Sequence, residues 1–292
     1  METNIDQWVV KSVFPKLTKI FKKHPPHAKV EYLLYEALKR VLPAQREHTF
    51  ALQNGKMSLD ITASCIEMKK ALGLFEPESY RALDTVLSPG MTMVDAGAFI
   101  GDFTLYSALK VGPQGKVIAF EASEREYRRL IKNIELNQYT NVIPLLYALW
   151  NKPTKLSFTL PPAGSGGTFK PNTTIHKGQW KTYEVEAGTL DHVLTERGVK
   201  TVNLIKVDIE GAELEFLEGA SATLDSNPDI LLVLSLHPQH GVDVSKVERF
   251  LREKGFDFYH TVTFAPLSKL DPAITDVVAK RGHFRQDRPS PI

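Results

Sequence analysis

Two glycines and a carboxylate mark the segment VDAGAFIGDF, residues 94–103, between an apolar run and a helix-like run. The glycines form Gly-x-x-x-Gly, not the Gly-x-Gly-x-x-Gly that is typical of dinucleotide binding. Gly97 would let the backbone approach a ligand, and Gly101 would let the next helix pack closely. Asp95 would end a strand at the edge where open α/β sheets bind ligands, and its carboxylate suits a cation and repels a pyrophosphate. A purely structural turn explains the segment equally well.

A second carboxylate follows at a distance that points to a nucleoside. Glu121 ends the predicted strand in IAFEAS, about 20 residues after the glycine turn, where an acid binds ribose hydroxyls in nucleotide-binding sheets. Its alternative role is that of an acid at a helix N-terminus, favoured by the helix dipole. The order of strand, glycine turn, helix, strand and acid makes ligand binding the better interpretation.

A third group of carboxylates lies in KVDIEGAELEFLEGA, residues 206–220. Asp208 closes an apolar strand at the same sheet edge, and a carboxylate there needs a partner. Glu210 and Glu213 follow at the turn and the helix start. Helix capping explains one of these two acids without any catalytic role.

His237 follows the fifth predicted strand at this same edge. Histidine is the usual acceptor of a proton from a hydroxyl, although a histidine before Pro238 can also be a simple turn residue. The catalytic residues that we predict are therefore Asp208, Glu210 and His237. The same three could hold Mg²⁺, but their spacing does not show that they converge, and we do not expect a metal.

The elements that would position these residues alternate along the chain. Five apolar strands are predicted at 91–97, 116–123, 141–150, 201–211 and 229–237, with helical segments between them. The helix after the second strand begins with Ser123 and Glu126, which match a capping box. Buried strands that alternate with helices predict a mainly parallel sheet covered on both faces.

Less regular segments flank and interrupt this pattern. We predict a basic N-terminal helical extension or cap over 1–70, an α/β domain over 71–282 and a basic tail over 283–292. The extension could be a solvated cap, a substrate-covering or dimerising element, or a membrane-surface helix. Residues 151–188 interrupt the alternation, and the Pro- and Gly-rich stretch 160–174 predicts a long loop that could act as a lid.

Composition sets broad limits on the protein. Hydrophobic residues make up 42% and charged residues 24% of the 292 residues, which is ordinary for a globular protein, and the net charge of +2 favours no charged partner. The single cysteine excludes an intrachain disulfide and a Cys-rich zinc site, so we expect a cytoplasmic location. We see neither the apolar core of a signal peptide nor a window of ~18 apolar residues, and expect no transmembrane helix.

A run of motifs in order gives this pattern a family resemblance. FEPESYRAL, PGMTMVDAGAFIGDFTLYSA, KVIAFEASEREYRRLIKNIELN, TLDHVL and NLIKVDIEGAELEFLEGA resemble the FkbM family of S-adenosylmethionine-dependent methyltransferases over about residues 73–260. The resemblance implies the class I methyltransferase fold, a Rossmann-like, mainly parallel seven-stranded sheet whose last strand is antiparallel. Residues 256–264 and 273–280 would form the closing hairpin.

The resemblance also implies a set of cofactor-binding residues. The loop from Asp95 would lie at the methionine part of S-adenosylmethionine, Glu121 at the ribose hydroxyls, and Asp208 between cofactor and substrate. The full predicted set is Glu76, Asp95, Gly97, Ala98, Gly101, Phe103, Thr104, Glu121, Ala122, Ser123, Ala148, Leu149 and Asp208. Ser235 departs from the acid or polar residue that we expect on the substrate side.

The function that we predict is O-methylation of a hydroxyl on a small molecule, such as a sugar or a secondary metabolite. A methyltransferase for RNA or protein is the first alternative, although DIEG stands where base N-methylating enzymes have an Asn-Pro signature. An NAD(P)-dependent oxidoreductase is another, and the missing Gly-x-Gly-x-x-Gly counts against it. A cofactor-binding protein without catalysis is the last. We expect a small hydroxylated acceptor rather than a nucleic acid, a partner that the basic N-terminal helices and tail leave open. The sequence does not indicate an oligomeric state.

Overall fold

The computed structural model describes residues 8–42, 47–160, 167–168, 180–274 and 276–284. Its main element is one large sheet. The strands are β1 (His48–Leu52), β2 (Gly55–Leu59), β3 (Thr92–Ala96), β4 (Lys116–Glu121), β5 (Val142–Leu146), β6 (Ala148–Leu149), β7 (Thr154–Leu160), β8 (Lys181–Gly188), β9 (Leu204–Val207), β10 (Leu231–Ser235), β11 (Phe256–His260), β12 (Pro266–Leu267) and β13 (Asp276–Arg281). The large sheet has the order β12-β11-β13-β10-β9-β3-β4-β5.

The topology of this sheet confirms the predicted class I methyltransferase fold. Strands β10, β9, β3, β4 and β5 are parallel, whereas β13 runs antiparallel to both β10 and β11. The predicted closing hairpin is therefore present. The sheet has eight strands rather than seven, because the two-residue strand β12 adds to the edge of β11.

The central strands are apolar on both faces because helices cover both sides. Met93 and Val117 pack in one core, and the next residues along, Val94 and Ile118, pack in the other. The helices are α1 (Phe14–Lys23), α2 (Ala28–Val41), α3 (Cys65–Ala71), α4 (Pro77–Val86), α5 (Asp102–Val111), α6 (Glu124–Asn137), α7 (Leu190–Glu196), α8 (Glu213–Gly219), α9 (Ser221–Ser226) and α10 (Val244–Glu253). None of the described helices is both long and apolar enough to span a membrane.

The helix start at Ser123 follows the predicted cap in part. Its hydroxyl accepts a hydrogen bond from the backbone N–H of Glu126, which satisfies one free donor of the first turn of α6. The reciprocal half of the box is absent, because the backbone N–H of Ser123 donates to Glu121 instead. The start of α6 is thereby tied to the end of β4.

The N-terminal extension is helical only in part, which corrects the prediction for residues 1–70. Helices α1 and α2 are followed by the antiparallel hairpin β1–β2. The hairpin docks on α6 through side-chain acceptors, because the backbone N–H groups of Lys56 and Ser58 donate to Asn137 and Asn133. The extension is therefore built onto the α/β domain next to the helix that follows β4.

The predicted interruption at 151–188 contains a second sheet. Strands β7 and β8 pair antiparallel, and β6 pairs with β8. Most of the predicted loop over 160–174 lies outside the described residues, and so does most of the predicted tail over 283–292.

Candidate functional site

A cavity opens at the carboxyl ends of the parallel strands, where the sequence places its carboxylates. It encloses about 320 Å³ of water-accessible space, within the range of small-molecule sites. Its wall includes these predicted residues: Glu76, Gly97, Ala98, Phe103, Glu121, Ala122, Ala148, Leu149, Asp208, Glu210 and His237. The predicted cofactor and catalytic residues are thus brought to one place.

Four predicted cofactor residues lie behind this wall instead of on it: Asp95, Gly101, Thr104 and Ser123. The Thr104 hydroxyl donates to Asp95 over 2.6 Å, and burial raises the pKa of Asp95 to about 6. Ser123 caps α6, as described above. The structure therefore gives these residues supporting positions, with no surface on the cavity.

The two glycines of the turn are needed for packing within the protein. Gly97 has φ +89°, and a Cβ there would lie 1.9 Å from the backbone oxygen of Asp208. Gly101 has φ +104°, and its Cβ would lie 2.9 Å from Leu130 on α6. Gly97 thus lets the ends of β3 and β9 meet, and it also forms part of the cavity wall.

Replacing Gly97 by alanine is expected to destabilise the fold. The left-handed backbone alone costs a residue with a side chain about 1–3 kcal/mol, and the clash with Asp208 adds to this. Gly90 is the matched control, because it has φ +84° with nothing within 4 Å of its Cβ position. Urea unfolding should show a larger loss for Gly97→Ala than for Gly90→Ala. Equal losses would contradict the packing role.

Glu121 is held at the cavity wall by backbone donors. Its two oxygens accept from the N–H groups of Phe99, at 2.8 Å, and Ser123, at 2.7 Å. Burial raises the pKa of Glu121 to about 8, although both of these hydrogen bonds lower it. Each oxygen keeps a lone pair for a further donor, so the carboxylate can bind two neighbouring hydroxyls.

His237 lies among three carboxylates in the same cavity. Its Nδ1 donates to Glu213 Oε1 over 2.6 Å, and its Nε2 lies 3.5 Å from both Asp208 Oδ1 and Glu210 Oε2. Burial lowers the pKa of His237, but the hydrogen bond to Glu213 and the charges of the three acids outweigh this and raise it to about 9. The other two predicted catalytic residues, Asp208 and Glu210, thus lie beside the imidazole of His237.

Each acid of this group has a separate structural role. Asp208 has the partner that its position requires, because the buried Lys206 Nζ lies 3.1 Å from Oδ2. Burial raises the pKa of Asp208, but the charges of Lys206 and His237 lower it below its usual value. Glu210 has φ +52° in the turn before Gly211. Glu213 is fully buried and orients His237, so it is more than the helix cap that the sequence suggested.

The same cluster is the set of described residues that could accept a metal ion. Ligand atoms of Asp208, Glu210 and His237 all lie within 4.8 Å of one another. Oxygen-rich sites of this kind suit Mg²⁺. The convergence that spacing could not show is present, and chelation therefore forms part of the functional test below.

Sequence reasoning missed several residues of the cavity. They are Lys70, Phe75, Phe99, Glu126, Tyr147, Gln239 and Asp276, which all contribute to its wall. Lys70 lies in the extension, where the apolar pattern is least regular. Glu76, which was predicted, has φ +38° at the start of α4, and burial together with the charge of Asp208 raises its pKa to about 7.

Comparison with known proteins agrees with this geometry. The family model "Methyltransferase FkbM domain" matches residues 95–258. Methyltransferase 1 of Beauveria bassiana is 31% identical over 182 residues, which cover 56% of this chain and 71% of the relative. The hexuronic acid methyltransferase AglP of Haloferax volcanii is 32% identical over 159 residues, covering 54% and 60%. Methyltransferase sdnD of Sordaria araneosa is 31% identical over 196 residues, covering 56% and 73%.

The family match decides between the classes of function. It overlaps the parallel strands, the cavity and the whole Asp208–His237 cluster, and it covers more than half of the chain. The dinucleotide-dependent oxidoreductase, which the sequence had left as an alternative, is thereby wrong. The chain belongs to the FkbM methyltransferase family, and the predicted enzyme class and methyl donor, S-adenosylmethionine, are confirmed.

Proposed function

We propose that S-adenosylmethionine binds in the cavity with its ribose hydroxyls on Glu121 and its methionine part along Gly97 and Ala98. Ala122, Ala148 and Leu149 would contact the adenine. The charge of the wall supports this assignment, because the sulfonium and ammonium groups are cations. The carboxylates of the wall are Glu76, Asp102, Glu121, Glu126, Asp208, Glu210 and Asp276. Asp95, Gly101, Thr104 and Ser123 would support the loop, and Phe103 would pack beside it.

We further propose that the reaction is O-methylation of a hydroxyl on a small molecule. The observation that carries this is His237, which is oriented by the buried Glu213 and turns Nε2 toward Asp208 and Glu210. The donor supplies a methyl group already activated on a sulfonium, so the protein mainly positions the reactants and excludes water. His237 would take the hydroxyl proton at Nε2, while the carboxylates of Asp208 and Glu210 hold the resulting imidazolium.

The relatives and the site support one class of acceptor. One relative is named a hexuronic acid methyltransferase, which supports a sugar-like acceptor. The acidic lining would repel a negatively charged acceptor beside Asp208 and Glu210, so a neutral hydroxylated compound fits best. The single cysteine supports a location in the reducing cytosol, because the chain cannot form an intrachain disulfide.

The test is a transfer assay against a panel of neutral sugars, uronic acids and phenolic metabolites. Mass spectrometry should find a product that gains one methyl group on oxygen. The assay is repeated with a chelator, and then with Mg²⁺ added back. Activity that survives chelation supports proton transfer by His237, whereas a loss that Mg²⁺ restores would assign the cluster to a metal. Methylation only of RNA or protein would overturn the small-molecule proposal.

A further inference from the structure

A buried lysine in the cavity wall has been given no role so far. Lys70 lies on α3, is 4% exposed and contributes to the cavity wall. Its Nζ forms an ion pair with the buried Asp102 and lies 4.4 Å from the ring centroids of both Phe75 and Phe99. The ammonium is thus held by one carboxylate and two aromatic faces, and the residue forms part of the cavity wall.

The charge balance of the cavity gives this lysine a distinct position. Among the described residues that form the wall, Lys70 is the only lysine or arginine, against seven carboxylates. His237 is the other cationic group, and three acids already surround it. The amino-acid end of S-adenosylmethionine carries a carboxylate, which needs a cation or N–H donors in such surroundings.

Backbone donors of the glycine turn do not meet this need. The N–H groups of Gly97 and Ala98 both donate to the backbone oxygen of Phe120. The N–H of Gly101 donates to the oxygen of Ala98, and the N–H of Phe99 donates to Glu121. These four amides are engaged within the protein and are therefore not available to bind an anion.

We infer that Lys70 binds the α-carboxylate of S-adenosylmethionine, a role that rests on the donor site proposed above. Asp102, Phe75 and Phe99 position the ammonium. Phe99 also links two subsites, because its ring contacts Lys70 and its backbone N–H contacts Glu121. The carboxylate and the ribose of the donor are therefore recognised from the two sides of one residue in the turn.

The test compares two ligands that differ only at the amino-acid end. S-adenosylhomocysteine has the carboxylate, whereas 5′-methylthioadenosine keeps the nucleoside and the thioether without it. Calorimetric titration of Lys70→Met should show S-adenosylhomocysteine weakened about 10–100-fold, the worth of a charged hydrogen bond. The affinity for 5′-methylthioadenosine should change less than about twofold. A purely structural lysine would weaken both ligands together, or neither, and either result would overturn the assignment.

Two further variants distinguish a specific loss of binding from general damage to the fold. Lys70→Met leaves the buried Asp102 unpaired, so Lys70→Met/Asp102→Asn removes both charges and should show the same ligand-selective loss. Lys69→Met is the matched control, because Lys69 pairs with Glu31 and does not belong to the wall. It should bind both ligands as the wild type does. If the wild type binds neither ligand, the proposed donor site itself is wrong, a failure distinct from unchanged binding by the variant.

Discussion

Replacing His237 by alanine should slow methyl transfer about 10²–10⁴-fold, the usual contribution of a positioned general base. The affinity for S-adenosylhomocysteine should stay unchanged, because His237 follows β10, whereas the proposed ribose acid Glu121 ends β4, three strands along the sheet. Single-turnover rates and calorimetric Kd values, measured separately, check the two parts. His192→Ala is the control, since that histidine is exposed on α7 and pairs with Glu196.

If His237 is the general base, the rate of methyl transfer should increase with pH. The pKa of His237 is raised to about 9, so the imidazole is protonated at neutral pH and cannot accept a proton. The wild-type rate of transfer should therefore rise with pH until about 9, and this rise should disappear in His237→Ala. The sulfonium and ammonium of a bound donor would lower this pKa, so about 9 is the upper limit of the rise. A wild-type rate that is flat from pH 6 to 9, or a His237→Ala rate equal to that of the wild type, would contradict the base role.

Replacing Glu121 by alanine should weaken S-adenosylhomocysteine about 100-fold, because two hydroxyls lose the side chain with which they form hydrogen bonds. The N–H groups of Phe99 and Ser123 lose their acceptor as well, which loosens the turn. Titration calorimetry measures the effect directly. Glu124→Ala is the control. Glu124 begins α6, three residues after Glu121, but it is exposed and pairs with Arg128.

A deoxy ligand separates ribose recognition from general damage to the turn. The 2′-deoxy analogue of S-adenosylhomocysteine should bind the wild type more weakly than the parent compound does. In Glu121→Ala the two ligands should bind equally, since the acceptor that distinguishes them is gone. Continued discrimination by Glu121→Ala would remove Glu121 from the ribose site, even if both affinities had fallen.

The sheet was predictable because each buried strand is a short apolar run bounded by turn residues. Strands β3, β4, β9 and β10 lie within the predicted segments, and their carboxyl ends meet at one edge as parallel strands must. This rule alone was enough to group Glu121, Asp208 and His237 before their distances were known. The hairpin β1–β2 was missed although the sequence contains Asn54-Gly55, a frequent hairpin signal, where the turn meets β2.

What the sequence hid were contacts between charged residues that are distant in the chain. Glu213 looks like a helix-start acid, yet it bonds His237, 24 residues away. Lys70 looks like one of many lysines in a basic extension, yet it is buried against Asp102, 32 residues away. Apolar periodicity reports which face of an element is buried, but it does not report which charges are paired inside.

The most direct test of the account is calorimetric titration of the purified protein with S-adenosylhomocysteine and with NAD. We expect one saturable site for S-adenosylhomocysteine with a Kd on the order of micromolar. We expect no binding of NAD, whose pyrophosphate would meet the acidic wall and the engaged amides of the glycine turn. Binding of NAD with none of S-adenosylhomocysteine would contradict the assignment of this cavity to the methyl donor.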